Sequence, residues 1–336
     1  MEKVMKAICV TAADGIQVKD VPQPVTAAPG HIIIKMAACG INPGDKAFIG
    51  GTFPGGGVAL SKYDIYGVSG AGRVTDIGTG VPDSYRGKNV TVYRSLQASE
   101  DTVGTWSEYA QLPYRDCAIL PDGVAAADYN GSLVNIITPF AFLKQVIAEG
   151  HKGIICTAGT SATGIAMLGV CVAYDFPLVS IVRDEDGKKE LEALGAKHVV
   201  VQADGDFKAQ LKEMTQALSA TAVFDGVGGE ILNVIIDVLP VDTTIYCYGY
   251  LGGKTPLTIH TSMLQRGLTI KRFSNFRSET VQQHLDEALA DIGKIIHLPH
   301  FKTKVGKKFK LEEINEALQY TDANGGKPVL YPADVN

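Results

Sequence analysis

The sequence contains no run of about 20 apolar residues, the length a bilayer span needs, so no membrane-crossing helix is expected. Its N-terminus, MEKVMKAICV, has neither the apolar core of a secretory signal nor the Arg- and Ser-rich character of a transit peptide. Cysteines are few and scattered: Cys9, Cys39, Cys117, Cys156, Cys171 and Cys247 form no C-x-x-C pair, and they read as reduced, buried thiols. These absences predict a cytoplasmic protein with no membrane partner. Histidines offer no metal grip either, because the nearest pair, His297 and His300, is interrupted by Pro299. Basic charge is also short. A net charge of −5 and a pI near 5.8 exclude a nucleic-acid surface as the main business of the chain. The one lysine-rich stretch, Lys302–Lys310, alternates Lys with Val and Phe and reads as a half-exposed strand.

What is present is an ordinary globular composition, 46% hydrophobic and 20% charged, in 336 residues. That length exceeds what one hydrophobic core usually supports, so two domains are expected. The first third is strand-like. Lys6–Val10, Ile16–Val21, His31–Ala38, Gly72–Ile77 and Asn89–Tyr93 are rich in β-branched residues and separated by Gly, Pro and Asp turns, the texture of a small irregular barrel. From about residue 124 the texture changes to apolar runs alternating with amphipathic helices. The runs are Gly153–Thr157, Leu178–Val182, Val199–Val201, Ala222–Asp225 and Thr244–Tyr248, with Leu268–Phe273 as a sixth. Continuous apolar strands in alternation with helices predict a doubly wound parallel sheet, hence an α/β fold. A single helix is predicted over Glu279–Ile295, and the last elements are expected to fold back onto the first domain. The domains are therefore placed at 1–124 with 265–336, and at 125–264.

The segment Ile154–Gly164 joins the first strand of the α/β region to its first helix, and it carries Gly159, Ser161, Ala162, Thr163 and Gly164. Small residues at such a turn let the backbone approach a pyrophosphate, while the helix N-terminus offers free N–H groups. This predicts a Rossmann dinucleotide site. The second strand ends Val182-Arg183-Asp184, where an NAD site would place a carboxylate on Val182. A missing acid beside Arg183 favours a 2′-phosphate, hence NADPH over NADH; in the other reading Arg183 is a solvated loop residue and Asp184 or Asp186 is the acid.

Several markers then recur in order along the chain. They are Cys39-Gly40-Ile41-Asn42-Pro43-Gly44-Asp45, Gly70-Ala71-Gly72-Arg73-Val74, Gly104-Thr105-Trp106 before Glu108-Tyr109-Ala110, and the Thr160–Gly164 loop. Leu194-Gly195-Ala196, Asp225-Gly226-Val227-Gly228-Gly229, Tyr248-Gly249 and Gly326-Lys327-Pro328-Val329-Leu330 follow. In this order and spacing the sequence resembles the medium-chain dehydrogenase/reductase superfamily, in its zinc-independent branch of quinone oxidoreductases and 2-enoyl thioester reductases. The resemblance implies a GroES-like β-rich catalytic domain, a Rossmann domain, a cleft between them and a homodimer paired through the last Rossmann strand, Leu268–Phe273.

It also implies where zinc enzymes of the superfamily hold their metal. Asn42 stands in place of a Cys, and Val68 and Ser69 in place of a His-Glu pair; none is a usual zinc ligand, so no zinc is expected. Without a Lewis acid the oxidation of a plain alcohol is disfavoured, and hydride transfer to a quinone or an α,β-unsaturated carbonyl compound is expected instead. The candidate catalytic residues are Asn42 and Asp45 on the loop under the nicotinamide, Phe53 where the thioester reductases carry a proton-donating Tyr, and Tyr63 and Tyr66 as substitutes for it. Thr138, Gly228, Tyr248, Gly249 and Phe276 join the glycine loop and Arg183 as candidate cofactor contacts, and Trp106 is expected to pack between domains. Two alternatives stay open. One is a 2-enoyl thioester reductase; the other is a catalytically weak NADPH-binding sensor or partner protein.

Overall fold

The computed structural model describes residues 3–11, 13–49, 61–94, 99–322 and 325–332. In chain order the first strands are β1 (Val4–Thr11), β2 (Gly15–Pro22), β3 (His31–Gly40), β4 (Ala71–Ile77), β5 (Asn89–Val92), β6 (Tyr109–Pro113) and β7 (Cys117–Ile119). Next come β8 (Gly153–Cys156), β9 (Leu178–Val182), β10 (Val199–Val201), β11 (Ala220–Asp225), β12 (Thr244–Cys247) and β13 (Thr269–Arg272). The last are β14 (Val305–Phe309) and β15 (Lys327–Leu330). The helices that matter below are α1 (Pro43–Ile49), α2 (Ser132–Ala148), α3 (Ala162–Ala173), α4 (Glu185–Ala193), α5 (Phe207–Ala217) and α6 (Gly229–Ile235). Among the described residues no helix is long and apolar enough to cross a membrane.

The chain divides into two compact units. One comprises Met1–Val134, Leu289–His297 and Phe301–Asn336; the other comprises Asn135–Ala288 and Leu298–His300. In the first, β1 and β2 form an antiparallel hairpin, and a seven-stranded sheet runs β14-β15-β3-β4-β5-β7, with β6 paired to β3. The last strand, β15, lies antiparallel to β3 in this sheet, whereas residues 265–288 belong to the other unit. The core behind these strands gathers Ile8, Ile32, Ile34, Val74, Val90, Val92 and Leu112 with Phe309, Leu311 and Leu330 from the C-terminal end. Burying side chains of this size is worth about 1.5–3 kcal/mol each, which explains how a few C-terminal residues anchor there. Gly72 marks the closest strand approach, since a Cβ on it would sit 2.1 Å from the Lys35 carbonyl oxygen. Trp106 is wholly buried in the core of this unit, edge-on to Tyr66 with ring centroids 4.8 Å apart.

The second unit is a six-stranded parallel sheet in the order β10-β9-β8-β11-β12-β13. The order reverses direction beside β8, the switch point at which a doubly wound sheet binds its ligand. Ile155, Val179, Ile181, Val200, Val223 and Ile245 are buried in the strands, as expected for a sheet covered on both faces. The predicted helix over Glu279–Ile295 is instead two, Glu279–Gln283 and Leu285–Ile295, broken at His284, whose φ of −129° leaves the helical region.

Candidate functional site

Two constellations stand out, one in each unit. In the parallel-sheet unit the loop after β8 turns tightly into α3. Ser161 caps that helix, its hydroxyl oxygen accepting the Gly164 N–H at 3.0 Å. The N–H groups of Ala162 and Thr163, in the first turn, have no carbonyl within the helix to donate to. Two glycines make the turn possible. A Cβ on Gly164 would stand 2.0 Å from the Ala158 carbonyl oxygen, and one on Gly159 would press on Ile181 and Val182 of β9 at 3.0 and 3.2 Å. The loop is therefore a backbone surface with no side chain beneath it, suited to a dinucleotide pyrophosphate.

The end of β9 places Val182 in the core and Arg183 at the surface. Asp184 is engaged as the N-cap of α4, accepting the Gly187 N–H at 2.9 Å, and Asp186 is almost fully exposed. On the far side of the loop Asp225 ends β11 in full burial. Its carboxylate takes the Thr157 hydroxyl at 2.7 Å and the N–H groups of Val227 and Gly228 at 3.2 and 3.1 Å. Those bonds hold the turn in which Gly228 adopts φ +98°, a conformation glycine takes without strain. Burial still outweighs them and raises the Asp225 carboxyl above its ordinary range. The Tyr248 ring stacks on Phe224 at 3.9 Å, its hydroxyl enclosed beside Gly226, and burial raises that phenol well above its usual value. Gly249 follows, where a Cβ would meet the Gly226 carbonyl at 2.9 Å. Thr138 on α2 accepts a hydrogen bond from the Asn275 side chain at 2.6 Å, and Phe276 beside it is exposed.

The barrel unit holds the second constellation. Asn42 precedes α1 and Asp45 lies in its first turn, both buried. The Asn42 backbone N–H donates to Asp45 Oδ2 at 2.7 Å, its amide nitrogen donates to Ser69 Oγ at 2.8 Å, and Lys327 Nζ donates to its amide oxygen. Lys327 is only 8% exposed and Asp45 only 1%. Burial lifts the Asp45 carboxyl to about 6 and lowers the Lys327 ammonium to about 8, each partly offset by the other's charge. Tyr66 lies in the barrel core, its hydroxyl donating to the Asp45 carbonyl at 3.4 Å, and burial raises it far above the ordinary phenol range. Tyr63 is exposed, and both it and Asp64 have positive φ, 60° and 55°. Phe53 lies outside the described residues.

The structure thus gathers Asn42, Asp45 and Tyr66 in one unit and the glycine loop, Gly228, Tyr248 and Gly249 in the other. Sequence reasoning missed three partnerships: Ser69 and Lys327 with Asn42, and Thr157 with Asp225. Lys327 falls inside a sequence marker already noted, so a signal existed for it. Nothing local to Ser69 or Thr157 points to these partners.

The zinc ligand set does not fit this place. Asn42 and Ser69 are hydrogen-bonded to each other, and the Lys327 ammonium sits against the Asn42 oxygen, where it would repel a dication. The one thiol nearby in sequence, Cys39, donates to the Thr105 carbonyl at 2.9 Å, and burial raises it far above the thiolate range. Among the described residues no group of three or more His, Cys, Asp or Glu could hold a metal ion.

Residues 28–122 match the alcohol dehydrogenase GroES-like domain family, and residues 162–290 match the zinc-binding dehydrogenase family, together two thirds of the chain. The chain belongs to the medium-chain dehydrogenase/reductase superfamily. Among relatives of this superfamily, the mitochondrial enoyl-[acyl-carrier-protein] reductase of Xenopus tropicalis is 23% identical over 305 residues, covering 87% of this chain and 84% of that protein. The Escherichia coli quinone oxidoreductase solved in complex with NADPH superposes with a TM-score of 0.75 at 21% identity, over 98% of this chain and 99% of that one. The quinone oxidoreductase of Pseudomonas syringae gives 0.73 at 19% identity, over 99% and 100%.

Proposed function

We propose that the protein is a zinc-independent, NADPH-dependent reductase of quinones or α,β-unsaturated carbonyl compounds. The observation that carries this reading is the hydrogen-bonded cluster of Asn42, Ser69 and a buried Lys327, at the place where the resemblance would put the zinc of the zinc enzymes. NADPH, when bound, supplies a hydride from its nicotinamide ring. The chain's own residues do the rest. The Ala162 and Thr163 N–H groups at the start of α3 take the pyrophosphate, with Gly159, Ser161 and Gly164 keeping that surface open. Arg183 takes the 2′-phosphate, as Val182 has no carboxylate and Asp184 is committed to its cap. Gly228, Tyr248, Gly249, Thr138 and Phe276 line the cofactor on the carboxyl ends of the strands. In the barrel unit the Asn42 amide offers an N–H to the substrate oxygen that gains negative charge as hydride arrives, a task a fixed neutral donor performs well. Asp45 and Tyr66 hold the Asn42 loop in place.

A second reading, reduction of a 2-enoyl thioester, is favoured by the name of the Xenopus relative. Two copies associate through β13, the terminal strand of the parallel sheet, which shows Ile270 to solvent. Calorimetric titration with NADPH and NADH, with and without Arg183→Ala, tests the cofactor assignment. Arg183→Ala should weaken NADPH about tenfold or more and leave NADH unchanged, the loss of one charged contact to a phosphate. Equal weakening of both cofactors refutes the 2′-phosphate role. Turnover of NADPH with quinones, enones and an enoyl thioester then separates the two reductase readings from a sensor, which would bind NADPH and oxidise it with none.

A further inference from the structure

We propose that Lys327 is a positioning residue that locks the side-chain amide of Asn42 in one orientation, so that one amide N–H is presented to the substrate oxygen. The proposal rests on the reductase reading for its function, but the lock itself is a property of this chain alone. An asparagine amide can rotate half a turn and exchange its oxygen for its nitrogen with almost no change in shape. Only its hydrogen-bond partners decide which atom faces which way. Here the partners differ in kind. Lys327 is a donor with no acceptor capacity, and it meets the amide oxygen. Ser69 Oγ accepts one amide hydrogen at 2.8 Å and passes its own hydrogen to the Gly40 carbonyl at 3.4 Å. A flipped amide would set its NH₂ against an ammonium in a buried place, where an unmet donor and a like-signed contact both cost heavily. In this orientation the amide oxygen is committed to Lys327 and one N–H to Ser69 Oγ.

The surroundings are built for the lysine. It reaches Asn42 across 285 positions of sequence, from the first residue of β15, and its stem passes over Gly131, where a Cβ would lie 3.6 Å from Lys327 Cδ. Asp45 supplies the counter-charge. Its Oδ2 is held by the Asn42 N–H, while its Oδ1 is buried without a hydrogen bond, so the carboxylate balances the ammonium through space. A neutral residue would fill the same volume without that pair. The buried charge is retained for direction, because no neutral side chain excludes the flipped amide as firmly.

The test uses the full chain and four proteins: wild type, Lys327→Met, Asn42→Ala and the double variant. The reaction monitored is NADPH oxidation with naphthoquinone and with cyclohexenone. Lys327→Met should lower kcat about tenfold, the scale of misplacing one transition-state donor, with NADPH affinity unchanged. On the Asn42→Ala background the same change should lower kcat less than about twofold, because the amide it positions is already gone. An equal loss on both backgrounds overturns the proposal. Lys327→Arg, which keeps a donor without acceptor capacity toward the amide oxygen, should recover most of the loss, whereas Lys327→Gln, whose own oxygen can meet a flipped Asn42 amide, should recover little; equal recovery by both overturns the proposal. A second readout does not need turnover. The Asn42 side-chain NH₂ resonances of the unliganded protein, identified by their absence in Asn42→Ala, should shift and broaden in Lys327→Met and return in Lys327→Arg. Unchanged resonances overturn the lock whatever the kinetics show. If the wild type turns over neither probe while the resonances move as expected, the reductase reading fails and the lock stands.

Discussion

The two candidate sites are made of opposite materials. The loop between β8 and α3 is a site of missing side chains: Gly164 stands where any Cβ would strike a backbone carbonyl and Gly159 where one would crowd β9, and what remains is a surface of N–H groups. The cluster around Asn42 is a site of side chains alone, an amide, a hydroxyl, a carboxylate and an ammonium, each buried and each depending on another. A backbone site tolerates almost no added atom but is indifferent to charge. A side-chain site tolerates changes of volume but responds sharply to protonation and polarity. The first suits a cofactor whose phosphates are the same in every turnover. The second suits a substrate whose charge changes during the reaction.

That contrast can be broken at three places. The largest effect is expected in the glycine loop. Gly164→Ala puts a methyl group 2.0 Å from the Ala158 carbonyl, so the loop or the helix must move. It should cost about 3 kcal/mol of stability, read by denaturant melting, and abolish NADPH binding. A variant that melts like the wild type and binds NADPH normally would show that this surface is softer than its geometry implies.

The next effect is a pH dependence that belongs to the side-chain cluster. Burial raises the Asp45 carboxyl from 3.8 to about 6, so the folded protein holds this proton more tightly than the unfolded chain does. The stabilisation from that proton is complete below about pH 4 and is lost as pH rises through about 6. Asp45→Asn cannot titrate. Relative to it, the wild type should lose about 2 kcal/mol between pH 4 and 7, measured by denaturant titration of both proteins across that window. A constant difference between the two proteins would remove Asp45 from the charged pair.

The smallest effect sharpens the comparison from outside both sites. Tyr63 holds φ at 60°, a left-handed conformation that costs a residue with a Cβ about 1–2 kcal/mol. Tyr63→Gly should relieve that strain and, after the added entropy of glycine in the unfolded chain, leave the protein stabilised by about 0.5 kcal/mol. Destabilisation would instead mean that the tyrosine ring contributes more through its contacts than the backbone loses through strain.

Much of the fold was legible because it rests on local pattern. The apolar runs from Gly153 to Tyr248 match β8 to β12 to within two residues at each end, since strands buried on both faces leave continuous β-branched segments in the sequence. The helix over Glu279–Ile295 was misread because its amphipathic period continues through His284, where only the backbone turns aside. The glycine loop was legible for the same local reason as the strands. The cluster was half legible: Asn42 and Asp45 lie three residues apart, whereas Ser69 and Lys327 come from distant parts of the chain. The edge-on pairing of Trp106 with Tyr66 was not legible, because the two rings come from segments 40 positions apart in the chain.

By itself the sequence determined the alternation of strand and helix and the small-residue turn between β8 and α3. Each of these is a matter of residue type within a few positions. Only the tertiary structure decided that a lysine at the far end of the chain takes its place against Asn42, and that Asp225 and Asp184 are spent on holding turns. The physical reason is plainest for Lys327 and Asp225. A buried charge is tolerable only where the fold brings it a partner, and here the pairing of β15 with β3 and of β11 with β8 brings Asn42 and Thr157.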